Sequence, residues 1–151
     1  MEMKLLREYI RKIISEINLG QSFGTVKYTA LVLDSSSHSQ LASLVPKGWN
    51  VVAHHMTIIN PPNQKFRMPT RWLGTKECVT VTAIAQNDQV MTGLIDLGGL
   101  PLPMKGPVFP HVTIATNPET GGKPVMSNQF NISDFEPITS INICGKIEEV
   151  V

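Results

Sequence analysis

Cysteine is scarce in this sequence. The two that occur, Cys78 and Cys144, stand in neither a CxxC nor a metal-ligand spacing, which sets aside zinc modules and dithiol redox motifs. Each falls in a strand-like run, so both are expected to be buried and reduced. An excess of charge of one sign is also lacking: 13 Lys and Arg stand against 12 Asp and Glu, a formal net charge of +1. That balance argues against a duplex nucleic-acid binder, whereas a short polyanion such as a di- or trinucleotide can be held by a few local lysines. No apolar run has the length of a membrane span, and the amino terminus has no uninterrupted apolar core of the secretory kind. The expectation is a cytoplasmic protein with no membrane partner, in which the sequon-like Asn131-Ile132-Ser133 has no meaning.

What is present is an ordinary globular composition. With 151 residues, 42% of them hydrophobic, the chain is long enough for one domain with a real core. Leu5, Leu6, Tyr9, Ile10, Ile13, Ile14 and Ile17 recur at helical spacing among charged residues, which predicts an amphipathic helix from about Met3 to Asn18. Residues 1–24 are read as this helix and a linker, and residues 25–151 as the main domain. Acidic residues interrupt the basic face of the helix, so its apolar stripe is expected to pack on the domain or on a second subunit rather than on a lipid surface. Oligomeric state is not legible.

The main domain alternates strands and turns. Val26 to Leu33 reads as a strand, and Asp34 with three serines caps a short helix running to about Leu44. Asn50 to Ile59 reads as one strand, with His55 and Thr57 on one face and Val52, His54, Met56 and Ile58 on the other, the core face. His54 is therefore expected to be an interior histidine. Pro61 to Gly74 is irregular, and its Trp72 is read as packing. Glu77 to Gln86 and Gln89 to Leu97 predict a hairpin turning at Asn87-Asp88. A Gly/Pro-rich loop from Gly98 to Pro107 leads to a strand over Val108 to Thr116, then a short helix or turn over Pro124 to Gln129 and a last strand over Thr139 to Val150. Thr120-Gly121-Gly122-Lys123-Pro124 is not a phosphate loop, because its spacing is wrong and Pro124 fills the Ser/Thr position.

Two of these strands carry the same short motif, His55-Met56-Thr57-Ile58 and His111-Val112-Thr113-Ile114. In a strand, residues i and i+2 share a face, so each motif presents an imidazole and a hydroxyl side by side. Two imidazoles on one cleft can act as base and acid toward a phosphodiester, while the hydroxyls donate to its non-bridging oxygens.

Paired His-x-Thr-apolar motifs are the hallmark of the 2H phosphoesterase superfamily, and the chain resembles it. The likeness extends to Tyr28-Thr29-Ala30-Leu31-Val32-Leu33-Asp34, to Gly48-Trp49 through His54-His55-Met56-Thr57, and to Pro110-His111-Val112-Thr113-Ile114. Together with Gly122-Lys123-Pro124 through Ser127-Asn128, these stretches are similar to the small branch of "Swiss army knife" RNA-repair-like proteins, over roughly Val26 to Val150. That branch also resembles phage anti-CBASS nucleases, which destroy the cyclic di- and trinucleotide alarm signals of bacterial immunity. Leu6-Arg7-Glu8-Tyr9-Ile10-Arg11 is similar to short leader helices on tailed-phage proteins, which would place the protein in the cytoplasm of an infected host.

The resemblance implies an α+β, bilobal 2H phosphoesterase fold, with antiparallel sheets around a central cleft and flanking helices, one motif facing the other across it. It implies a phosphodiesterase that cleaves 3′-5′ bonds of cyclic di- or trinucleotides, with a 2′,3′-cyclic phosphodiesterase acting on RNA ends, or a non-catalytic nucleotide-binding module, as alternatives. His55, Thr57, His111 and Thr113 would be catalytic, and Tyr28, Lys123, Ser127 and Asn128 would bind substrate. No cofactor is called for. Neither motif has in sequence the additional His, Cys or carboxylate ligands that a metal site would want.

Overall fold

The computed structural model describes residues 26–60 and 67–151. The expected amino-terminal helix and linker, and most of the loop from Pro61, lie outside the described residues. The elements in order are β1 (Tyr28–Leu33), α1 (Ser35–Ala42), β2 (Asn50–Val51), β3 (His55–Ile59), β4 (Lys76–Gln86), β5 (Val90–Asp96), β6 (His111–Thr116) and β7 (Glu136–Val150). Short 3-10 turns at Pro118–Thr120, Pro124–Gln129 and Ile132–Asp134 fill the segment between β6 and β7.

The strands pair antiparallel in the order β3-β1-β7-β4-β5, and β6 bonds to both ends of that series, to β3 on one edge and β5 on the other. The sheet thus closes into a six-stranded barrel, with β2 continuing the β3 edge of β6 through the pairs Asn50↔Thr116 and Val51↔Ala115. The mixed, mainly antiparallel α+β character matches the expectation, but the bilobal arrangement does not. Among the described residues there are no two lobes with a cleft between them, because one continuous ladder runs around a single core. Closure removes the exposed strand edges that two open sheets would present.

The barrel interior is filled by residues alternating along the strands, as a half-buried sheet requires. Leu31, Met56, Ile58, Val81, Val112, Ile114, Ile143 and Ile147 are all fully buried. Gly93 of β5 lets three core side chains close in, since a Cβ there would come within 3.0 Å of Val81, 3.2 Å of Val112 and 3.3 Å of Ile114. A smaller cluster outside this core joins Ala83 and Ala85 to Phe135, with Phe109 and Phe130 against it.

Local chemistry sets the elements much as the residue types suggest. The Asp34 carboxylate accepts from Ser37 N at 2.8 Å and caps α1, and this bond holds its pKa below the ordinary carboxylate value. From α1, Leu41 enters the core and the Ser37 hydroxyl accepts from Cys144 N at 2.7 Å, tying the helix to β7. The Asn87 side chain accepts from the amides of Gln89 and Val90 and closes the β4–β5 hairpin. Trp72 packs against the core, as read from the sequence.

The cysteines correct a second expectation. Cys78 and Cys144 are direct partners in the β4–β7 register, and they are joined in a disulfide instead of lying buried as thiols. Cys78 is exposed and Cys144 partly so. Sequence placed each in a strand, but only the pairing of those strands brings the two sulfurs together.

Candidate active site

The two His-x-Thr motifs come together as neighbours in the barrel wall. Met56 of β3 is the register partner of Val112 of β6. In an antiparallel pair, that register sets His55 opposite Thr113 and Thr57 opposite His111, a local two-fold arrangement. Met56 and Val112 point inward and are fully buried, so the flanking His and Thr side chains all turn outward to the same face, where each is half-buried. This differs from the expected meeting across a cleft between two halves: the motifs lie side by side on adjacent strands.

A cavity of about 580 Å³ opens over that face. Its floor is His55, Thr57, His111 and Thr113. Its walls are Tyr28, the segment from Gly106 to Val108, and the turn carrying Pro124, Val125 and Asn128. Val108 and Val125 are 93% and 66% exposed, and give the rim apolar surface suited to a flat organic group. Among the residues expected to bind substrate, Tyr28 and Asn128 line this cavity. Lys123 is exposed and outside its lining, and Ser127 lies beneath it, almost fully buried.

His54 is misplaced by the sequence reading. The strand is interrupted after Val51, and at Ala53 the backbone turns to φ +39°, a conformation that non-glycine residues seldom adopt. The Val52 amide bonds to the Ile114 carbonyl and the Ala53 amide to the carbonyls of both Thr113 and Ile114, and between the pairs Val51↔Ala115 and Met56↔Val112 four residues face two on β6, a bulge of two residues. Alternation is interrupted there. Ala53 is buried and His54 is exposed on the cavity, its Nδ1 lying 2.9 Å from His55 Nδ1.

The two motif histidines have different surroundings. The His55 ring stacks on Tyr28, with centroids 4.6 Å apart and planes at 19°. Burial first, then the nearby His54 and His111, push its pKa down from 6.5 to about 4, so it is neutral near pH 7. The Nδ1 of His111 lies 3.0 Å from the Phe109 carbonyl, and a carbonyl can only accept. That ring therefore carries its proton on Nδ1 and turns Nε2 to other partners. Phe109, itself packed on Phe135, meets the ring in a T-shaped contact with centroids 5.7 Å apart.

The two threonines differ as well. Thr57 makes no side-chain hydrogen bond among the described residues. The Thr113 hydroxyl lies 2.7 Å from Ser127 Oγ, which lies 2.6 Å from the hydroxyl of the fully buried Thr92 on β5. Ser127 is the hydrogen-bond partner of Thr92, so a Thr92 proton pointed elsewhere would be a buried, unpaired donor. The satisfied order is Thr92 donating to Ser127 and Ser127 to Thr113. Thr113 is then left with its own proton for the Pro124 carbonyl at 3.3 Å, or for a better acceptor in the cavity.

Thr92 and His54 were not legible as site residues. Thr92 is an ordinary strand threonine in sequence, and no glycine or proline marks the bulge that exposes His54. Among the described residues no helix is long and apolar enough to cross a membrane, and no three His, Cys, Asp or Glu side chains are grouped as metal ligands. No protein-family model, curated protein or solved structure matches the chain.

Proposed function

We propose that the protein is a metal-independent phosphodiesterase acting on cyclic di- or trinucleotides, of the kind that would disarm cyclic-oligonucleotide immune signals. The observation that carries this reading is the pairing of the two His-x-Thr motifs on β3 and β6, with all four side chains on the floor of one cavity.

A neutral His55 suits the base. It takes the proton from a ribose 2′-hydroxyl as that oxygen bonds to phosphorus, and the bond from phosphorus to the 5′ oxygen breaks. The leaving oxygen receives a proton from Nε2 of His111 in its imidazolium form, whose Nδ1–H goes on donating to the Phe109 carbonyl. Thr57 and Thr113 donate to the non-bridging oxygens as charge builds on them, an effect worth about 3 kcal/mol per donor. The resulting 2′,3′-cyclic phosphate is opened by water with the roles of the two histidines reversed. An RNA end that already carries a cyclic phosphate enters at this second step. The exposed Val108 and Val125 offer apolar contact to a base beside the reacting phosphate.

The test is incubation of the full chain, in chelator, with cyclic di- and trinucleotides and with a short RNA ending in a 2′,3′-cyclic phosphate. The His55→Ala/His111→Ala double variant runs alongside. Linear products from the wild type alone support the proposal. Opening of the RNA end alone redirects it to RNA end processing, and tight binding without product supports a sequestering module. Dependence of activity on a metal would overturn the mechanism.

A further inference from the structure

Two imidazole Nδ1 atoms come within 2.9 Å, as those of His54 and His55 do, only with a proton between them. A neutral histidine in water carries its proton mostly on Nε2, and two rings in that form would bring lone pair against lone pair. One of the two is therefore held in the less common Nδ1–H form. His54 is exposed, so a proton on its Nε2 can be hydrated. His55 is the more buried of the two rings and among the described residues no protein group accepts from its Nε2, so it hydrates an Nε2 proton less readily than His54 does.

We propose that His54 is a positioning residue, which accepts the Nδ1 proton of His55 and thereby leaves Nε2 of His55 bare toward the cavity as a base. Its consequence for turnover rests on the phosphodiesterase reading; the tautomer itself does not. Catalytic histidines elsewhere are held in this form by a carboxylate. No Asp or Glu lines this cavity among the described residues, and the titratable side chains beside the pair are Tyr28 of β1 and His111 of β6. The bulge at Ala53 instead brings a second imidazole against Nδ1 of His55. An imidazole acceptor carries no negative charge, so it orients His55 without the rise in proton affinity that an Asp would bring.

The experiment is nitrogen-15 NMR of the histidine rings in the full chain, at a pH where both rings are neutral, for wild type, His54→Asn and His54→Leu. His54 is exposed, so neither change removes core packing. His55 is expected in the Nδ1–H form in wild type and in His54→Asn, whose amide oxygen can still accept. In His54→Leu, the Nε2–H form should prevail. In a turnover assay His54→Leu should lower kcat on the order of a hundredfold with little change in KM, and His54→Asn should recover most of it. An Nε2–H form in wild type, or a His55 tautomer unmoved in His54→Leu, overturns the proposal. The expected tautomers in a wild type that cleaves no nucleotide uphold the positioning role and overturn the phosphodiesterase reading alone.

Discussion

The side-chain oxygens of Thr92 and Ser127 lie 2.6 Å apart beneath the cavity floor, and Ser127 passes the contact on to Thr113. Removing Ser127 alone strands a buried Thr92 hydroxyl. Ser127→Ala is therefore expected to cost about 2 kcal/mol of stability. Thr92→Val, which leaves no orphan, should cost about 1 kcal/mol. The double variant should be less destabilised than the sum of the two, because the orphan made by one change is removed by the other. Urea unfolding of the four proteins measures this, and simple additivity would contradict the assigned order of donors.

Acid should act on His55. Its folded pKa of about 4 lies below the ordinary 6.5, so between those values the unfolded chain binds a proton that the native chain does not. The stabilising effect of a neutral His55 is fully present above pH 6.5, is lost progressively as pH falls to about 4, and is not lost further below that. Allowing for solvent screening at a half-buried ring, the loss is on the order of 2 kcal/mol. His55→Asn should flatten the stability profile in this window. The acid limb of the wild-type activity profile should fall near pH 4, and a limb near 6.5 would contradict a depressed base.

Gly106 holds the cavity wall. Its φ is +102°, and an added Cβ would collide with the Asn60 carbonyl at the end of β3. The loop is fastened there by Asn60 N bonding to Lys105 O at 2.9 Å and Lys105 N to Ile58 O at 2.8 Å. Gly106→Ala should displace the segment carrying Val108. The expected result is a KM raised by about tenfold, with a stability loss of about 1–3 kcal/mol. Steady-state kinetics beside thermal melts check it.

The Cys78–Cys144 bridge spans a sequence separation of 66. Closing a loop of that size in the unfolded chain is worth up to about 4 kcal/mol in the chain-entropy model. A reductant, or Cys144→Ser, should lower the melting temperature. Alkylation of the unreduced, denatured chain should add no mass, and two additions would show free thiols.

Much of the fold was legible because it is written in local chemistry. The Asp34 cap, the Asn87 hairpin and the alternation of His55, Met56, Thr57 and Ile58 depend on neighbours within a few residues, and the structure places each as read. The exposed His54 was not legible. Its placement depends on Val52 and Ala53 bonding to the carbonyls of Thr113 and Ile114, some sixty positions downstream, and Ala53 gives no sign of the positive φ that results.

By itself the sequence determined which side chains could do chemistry: His55 with Thr57, and His111 with Thr113, each pair set on one strand face by the period of the extended chain. Tertiary structure alone decided that the two pairs lie in antiparallel register at Met56 and Val112, and that the sheet closes on itself instead of opening into two lobes. It also decided that Cys78 meets Cys144, and that Thr92 and Ser127 stand behind Thr113. The physical reason is common to all four. Each depends on which strand lies beside which, and strand pairing is settled by burying one core from every side at once, which no local run of residues encodes.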